Sequence, residues 1–372
     1  MRQASGDLRQ VLAGGGFLKW FTADLYYANE RRLRNVPLFD VQVDWDGDAS
    51  IQGSMRCKVA STPDFSESLS PREIGDVFAP FGPELALVAH VSVGRVEYQV
   101  PVGWFRLVDV PSAVDEFTDF AGRQLIVSTV LELELKDRFY LVEQNPFDNP
   151  SAAQSLSSVY DEFARITGLP ITRTVPDGPI TRAVAYEDSR LDAAYELVDV
   201  LDAVPHMLSD GTTTFRPNEW PAPVDTVRYG VGGTLLSAPT GMTSKGVYNR
   251  VVFNGEDDAG SPIYAVAEIL DGPLRVREPD GSPGPAGVIT RRLASDYVNT
   301  QEQAQAYVDR EVERTARIAS REIEVTETFN PLREVGDVLW LETQSERLLV
   351  RVMKVTLGAD YETKLTVVVG SG

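Results

Sequence analysis

At 372 residues and 40.9 kDa the chain is longer than one hydrophobic core usually organises, and at about 150 residues per domain two or three units are expected. Apolar residues at 43% and charged residues at 24% exclude wholesale disorder and collagen-like repeats. With 55 acidic against 35 basic side chains the formal charge is −20, and no basic run offsets it, which argues against tight binding to a phosphate backbone.

At the N-terminus Arg2 and Arg9 surround a short apolar stretch, residues 11–18, that Gly14, Gly15 and Gly16 interrupt, so it fails as a secretory core. The aromatic run Trp20, Phe21, Tyr26 and Tyr27 reads as core or subunit interface. Residues 36–45 and 50–59 alternate apolar with polar: Ile51, Met55, Cys57 and Val59 share one face, and Gln52, Ser54, Arg56 and Lys58 the other. Asp46-Gly47 between them predicts a tight hairpin turn. Further strand runs are expected at 85–93, 96–110 and 124–135, parted by Gly94 and by a charged loop over 111–116. Residues 1–145 therefore predict an antiparallel barrel or sandwich.

Asn145-Pro146-Phe147-Asp148-Asn149-Pro150 concentrates turn formers and marks a domain boundary. Ser151 and Gln154 form a predicted capping box, followed by Leu156, Val159, Phe163 and Ile166 at helical spacing until Gly168 and Pro170. A second helix is expected over 189–203, with Ala194, Leu197, Val198 and Leu201 on one face, leading into a hairpin turned by Asp210-Gly211. Together these make a small α+β unit.

Beyond a proline-rich bridge at 217–223, strands are expected at 247–253 and 263–270, then a proline- and glycine-rich excursion over 271–287. Asn299 with Glu302 predicts a helix cap, and Ala304, Val308, Val312, Thr315 and Ala319 a narrow apolar stripe that docks on a sheet. Four strands close the chain at 323–328, 338–342, 348–357 and 364–369, with Gly336-Asp337 turning into the second.

The chemistry available is narrow. Cys57, His90 and His206 are the only cysteine and histidines, so neither an intrachain disulfide nor a four-ligand Cys/His zinc site can form. Such cysteine usage predicts a chain made in cytosol-like conditions, and no run of about 18 uncharged apolar residues predicts a membrane span. Gly230, Gly232 and Gly233 imitate a dinucleotide loop, but Leu235 stands in place of the third glycine. Asp44, Asp46 and Asp48 imitate a calcium loop, but Met55 stands where its twelfth-position acid belongs, and turn chemistry accounts for them better. His206 beyond a helix end reads as a capping or packing residue, His90 as a packed strand residue and Cys57 as a buried inert thiol. No nucleophile elbow, Walker loop or His-Glu-x-x-His is present, so no catalytic, metal or cofactor-binding residue is assigned and no cofactor is expected.

Three passages resemble the baseplate or tail hub proteins, also called minor tail proteins, of long-tailed bacteriophages of the actinobacteriophage type. They are Val36-Pro37-Leu38-Phe39-Asp40 and the strand after it, the helix from Ser189 with its hairpin ending Phe215-Arg216-Pro217, and Asn330-Pro331-Leu332 followed by Gly336-Asp337-Val338. The resemblance spans nearly the whole chain. It implies an α+β, β-rich fold with two tube-like antiparallel barrels and two smaller α/β domains, building a pseudo-six-fold ring as a homotrimer. On it, residues 1–145 are the first barrel, 146–235 a small α+β domain, 236–263 with 320–372 a split second barrel, and 264–319 an inserted loop and helix domain. The implied role is a non-enzymatic tail-tip hub that joins the six-fold tube to a three-fold fibre around the DNA ejection channel. Implied partners are the distal tail protein, the tape-measure protein and central fibre or tip proteins, with no sequence-specific nucleic-acid binding. The location would be the virion tail tip after synthesis in host cytoplasm, and wall degradation would fall to another protein. Gln52, Ser54, Arg56 and Lys58 are then the candidate oligomer or lumen face, and part of the −20 charge is expected to line the channel. The alternatives are a carbohydrate- or receptor-binding β protein of the tail tip and, third, a glycoside hydrolase, for which the sequence offers no acid pair to single out.

Overall fold

In a computed structural model the described residues are 1–60, 68–120, 122–180, 185–239, 247–257, 259–318 and 322–370; of 120, 123, 125 and 315–318 only the backbone is described. The first helix, α1 (Gly6–Gly14), starts where the Ser5 hydroxyl accepts the Leu8 N–H and stops at Gly15, whose φ of +69° is left-handed. The glycines that interrupt the apolar stretch are thus a helix terminus.

Six strands follow: β1 (Leu18–Tyr27), β2 (Glu30–Asp46), β3 (Gly53–Ala60), β4 (Glu84–Val93), β5 (Val96–Phe120) and β6 (Arg123–Lys136). They pair antiparallel in the order β1-β4-β5-β6-β3-β2, and β1 also pairs with β2, so the hydrogen bonds close a ring of six strands. The period-two reading holds for β3: Met55, Cys57 and Val59 are buried, while Ser54, Arg56 and Lys58 point outward. The expected loop at 111–116 is instead strand. β5 continues through Pro111 because bulges between Leu107 and Ser112 absorb the residue that lacks an N–H, and the strand passes from its partner β4 to β6 at Arg106.

The next unit contains α2 (Phe139–Glu143), β7 (Ser151–Ala152), α3 (Val159–Thr167), β8 (Ala185–Tyr186), α4 (Arg190–Asp199), β9 (Ala203–Met207) and β10 (Thr213–Pro217). The expected Ser151 cap is not one. Ser151 lies in β7, and α3 is capped by Ser158, whose hydroxyl accepts the Asp161 N–H at 3.1 Å. The N–H groups of Gln154 and Ser155 donate to the Glu162 carboxylate, which holds this stretch outside the helix. Ser189 caps α4 as expected, but α4 ends at Asp199; Asp202, at φ +51°, turns the chain and Ala203 opens β9. The β9–β10 hairpin turns at Gly211 with φ +79°. Phe215 stacks on Tyr160 at 4.2 Å and meets Phe163 edge-on at 5.0 Å, forming the centre of this core.

The remaining elements are β11 (Asp225–Arg228), β12 (Leu235–Ser237), β13 (Arg250–Glu256), β14 (Pro262–Glu268), β15 (Thr290–Leu293), α5 (Gln301–Ile318), β16 (Glu322–Thr328), β17 (Val338–Glu342), β18 (Arg347–Leu357) and β19 (Glu362–Val369). Ala304, Val308 and Val312 of α5 pack on Val251, Phe253 and Ala265, so the predicted stripe docks on a sheet; the Thr315 side chain and Ala319 lie outside the described residues. The cap is Thr300 rather than Asn299: its hydroxyl accepts the Gln303 N–H at 3.2 Å, while Gln303 Oε1 accepts the Asn299 N–H at 3.0 Å.

Hydrogen bonds do not follow a boundary at residue 263. β13 pairs with β14 and β15, and the upstream strands that join the C-terminal group are β11 and β12. That group runs β11-β17-β18-β19-β16-β12. Residues 354–357 of β18 pair with residues 43–46 of β2, which joins it to the six-strand ring in one 12-stranded sheet with a continuous apolar core.

Candidate functional site

The outward residues of β3 belong to a polar face that crosses both strand groups. Register aligns Thr326, Lys364, Thr356, Asp44, Ser54, Lys136 and Arg106 in one row over seven strands, from β16 to β5. None is buried. The neighbouring charges are matched: Arg56 lies 3.0 Å from Glu134, Lys58 3.0 Å from Asp40 and 3.5 Å from Glu132, and Lys354 2.6 Å from Asp46. Thr356 and Gln42 both donate to Asp44, at 2.6 and 2.8 Å. The hydrogen bond to Asp40 holds the Lys58 ammonium above its ordinary range, and that to Asp46 does the same for Lys354. This face is chiefly a lattice of paired charges that stays hydrated, with one exposed aromatic side chain, Phe39, opposite Lys58.

Of the four residues expected on this face, Ser54, Arg56 and Lys58 are together and Gln52 is elsewhere. Gln52 precedes β3, in the connection after the hairpin turn, where alternation no longer dictates sidedness. Its amide is buried, donating to the Pro205 carbonyl at 2.7 Å and the Tyr195 hydroxyl at 3.2 Å, with Oε1 3.3 Å from His206 Nδ1. Gln52 thus ties the strand ring to the α+β unit.

This junction holds two strongly perturbed groups. Burial, then the charge of Arg216, push His206 down to about 3. Burial pushes Asp137 up to about 7 although it accepts the N–H groups of Gly53 at 2.6 Å and Phe139 at 2.9 Å. Arg216 donates to the Val335 carbonyl at 2.7 Å and packs against Gly336, where φ is +88° and a Cβ would fall 2.3 Å from the arginine side chain. Asp337 next to it receives the N-terminal ammonium and the Glu334 N–H. The Gly336-Asp337 turn therefore anchors the chain start and the α+β unit together. His206 lies in strand β9 rather than at a helix end, because α4 stops earlier.

The other residues weighed in the sequence fall into structural places. His90 stacks on Trp20 at 4.9 Å and bridges Thr22 and Glu97, each at 2.8 Å. The buried Cys57 thiol is pushed up to about 12. Asp46 accepts the Asp48 N–H in the hairpin turn, and Gly233 N–H bonds Gly230 O in a turn between β11 and β12. Among the described residues no group of three His, Cys, Asp or Glu could hold a metal ion, and no helix is long and apolar enough to cross a membrane. Sequence reasoning missed the buried ion pair of Arg333 and Glu327, at 2.6 and 2.9 Å, although it lies on both sides of the Asn330-Pro331-Leu332 passage it had marked.

No family model matches the chain, and no curated protein matches it in sequence. Solved structures do match its shape. The tail protein from Neisseria meningitidis MC58 superposes with a TM-score of 0.61 at 10% identity, over 95% of this chain and 97% of that one. The 43 kDa tail protein of prophage MuSo2 from Shewanella oneidensis does so with 0.59 at 11% identity, over 94% and 98%. A prophage tail protein from Listeria monocytogenes EGD-e gives 0.50 at 12% identity, over 93% and 94%. At such identities the likeness is one of fold, and it runs essentially end to end.

Proposed function

We propose that the chain is a structural, non-enzymatic protein of a bacteriophage tail, a hub at the tail tip in which three copies close a ring around the DNA channel. The observation that carries this reading is the end-to-end likeness in fold to phage tail proteins, together with a chain in which a closed six-strand ring and a second six-strand group share one sheet. In this reading the two groups are tube-like barrels, so three chains present six barrels to a six-fold tube. The first barrel is 1–145 and the α+β domain 146–235, with β11 and β12 lending strands to a second barrel completed by 320–372; β13 to β15 and α5 form the inserted domain. Its neighbours would be the distal tail, tape-measure and central fibre proteins of the virion. An actinobacteriophage origin is part of the same proposal.

The polar face across β16 to β5 is assigned to the lumen. A stable protein contact needs apolar area at its centre, whereas this face carries mainly paired charges. Its acids are matched by bases, so a passing polyanion meets paired charges whose fields cancel within about one Debye length, roughly 8 Å at physiological salt. This departs from the expectation of a net acidic lining: the excess negative charge of the chain belongs to other surfaces.

Negative-stain electron microscopy of the concentrated protein tests the assembly, with three-fold rings around an open channel as the expected average. Isolated single chains that bind glycans on an array would overturn it in favour of a receptor-binding protein. The face is tested separately by Arg56→Glu with Lys58→Glu. Both side chains are substantially exposed, so stability should change by no more than about 1 kcal/mol. Tails carrying the variant should assemble yet release DNA more slowly, because six reversed charges per ring disturb the lumen. Unchanged ejection would remove this face from the channel.

A further inference from the structure

Two hairpins pair beyond the last described residue of β3. Ala60 lies opposite Val130, and the β5–β6 hairpin continues pairing to Phe120 opposite Arg123. On the other side, β3 reaches β2 at Leu38 opposite Val59, and the β1–β2 hairpin continues to Tyr27 opposite Glu30. The two tips differ in chemistry. Along β5 the stretch 109–120 contains four acids, Asp109, Asp115, Glu116 and Asp119, and no lysine or arginine. It also exposes Val114 on one face and Phe117 on the other, each 54% accessible, and Val127 at the bulge of β6. Ser68, Ser70 and Arg72 bind Asp115 at 2.8, 2.9 and 3.2 Å, which fastens residues 68–72 beside the tip. The result is an acidic tip with an exposed apolar side chain on each face, as interaction surfaces often present.

The β1–β2 hairpin carries the opposite charge. Arg31, Arg32 and Arg34 stand within four residues of a strongly acidic chain, all exposed. Arg31 and Arg32 meet only the local acids, half-buried Asp24 at 3.2 Å and exposed Glu30 at 3.1 Å, and Arg34 has no ion pair among the described residues. No ion pair joins the two hairpins within the chain among the described residues. We infer that they are the two halves of one contact between copies: the acidic, apolar tip of β5–β6 docks on the arginine hairpin β1–β2 of the next copy. Such a contact is head-to-tail, and repeated about an axis it closes a ring. The exposed apolar side chains of the tip would add affinity, while the charges set register and association rate. The inference rests on the ring reading and specifies which surfaces close the ring.

The test compares the full chain with Arg31→Glu/Arg32→Glu/Arg34→Glu, with Glu116→Arg/Asp119→Arg, and with all five substitutions together. Masses are measured by light scattering across concentration, and circular dichroism melts confirm folding. The expected wild-type species is three times 40.9 kDa, about 123 kDa. Either reversal alone should weaken assembly at least about ten-fold, and the joint reversal should restore it to within about three-fold, because the signs are exchanged rather than lost. A three-copy species indifferent to either reversal overturns the contact and leaves the ring reading standing. Failure of the joint variant to recover, with its melt unchanged, also overturns the contact. A wild-type chain that stays single at every concentration overturns both.

Discussion

Glu327→Ala should be among the most damaging single substitutions in the protein, costing about 3–5 kcal/mol. Arg333 is 1% exposed and its guanidinium is held by Glu327 through two hydrogen bonds, at 2.6 and 2.9 Å, with Asp225 2.9 Å from its third nitrogen. Burial alone would depress its ionisation, yet the carboxylates of Glu327 and Asp225 raise it well above the ordinary arginine value. Removing Glu327 leaves a buried cation facing one partly exposed acid. The cost is that of an uncompensated charge, larger than the net worth of the pair, and Asp225 draws it towards the lower end of the range. Replacing both partners, as Glu327→Leu/Arg333→Leu, should recover most of the loss. A urea midpoint shift equivalent to under 1 kcal/mol for Glu327→Ala would show that Arg333 reaches water on its own. The pair matters for the proposed role because Arg2 donates to the carbonyls of Pro331, Arg333 and Val102, so the same turn that buries Arg333 clamps the chain start onto the first ring.

A second large effect is expected against pH. His206 has a folded value of about 3 against an ordinary 6.5, so below pH 6.5 the unfolded chain binds a proton that the folded one refuses. This contribution to stability is complete above pH 6.5 and is lost as pH falls towards 3, at up to about 1.4 kcal/mol per unit. Asp137 acts in the opposite direction. Its folded value of about 7 against 3.8 means the folded chain keeps a proton that the unfolded one releases, so stability falls as pH rises from about 4 to 7. Between about pH 4 and 6.5 the two slopes cancel, and Gln52, which faces His206, sits beside both.

His206→Asn, which keeps a side chain able to meet Gln52, should uncover the Asp137 slope. Relative to wild type it should gain roughly 2–3 kcal/mol on going from pH 6.5 to 4.5. Asp137→Asn should show the reverse, gaining on wild type as pH rises over the same interval. Chemical denaturation of the three proteins at both pH values reads the difference directly. Parallel profiles would mean that water reaches this junction and that neither group is held from its ordinary ionisation.

Much of the local structure was legible. The β2–β3 hairpin follows from a period-two pattern about Asp46-Gly47, the α4 start from Ser189, and the α5 stripe from Ala304, Val308 and Val312, because each depends on neighbours two to four residues away. Where local signals competed, the tertiary structure chose. Ser151 reads as the cap, whereas Ser158 caps α3 and the Glu162 carboxylate binds the N–H groups of Gln154 and Ser155. Pro111 and its charged neighbours read as a loop, yet bulges and the long pairing with β6 carry the strand through them.

On the candidate face, Ser54, Arg56 and Lys58 were legible because β3 alternates strictly; Gln52 was not, because it stands outside the strand and its side chain is claimed by Tyr195 and Pro205, over 140 residues away. By itself the sequence determined an acidic, β-rich chain with too few cysteines and histidines for an intrachain disulfide or a four-ligand Cys/His zinc site, since composition and short-range periodicity suffice for that. Only the tertiary structure decided that β2 and β18 pair, bringing Asp46 to Lys354 across 308 positions and making two strand groups one polar face. No periodicity encodes such a contact: it is settled by which apolar faces remain to be buried once every local element has formed.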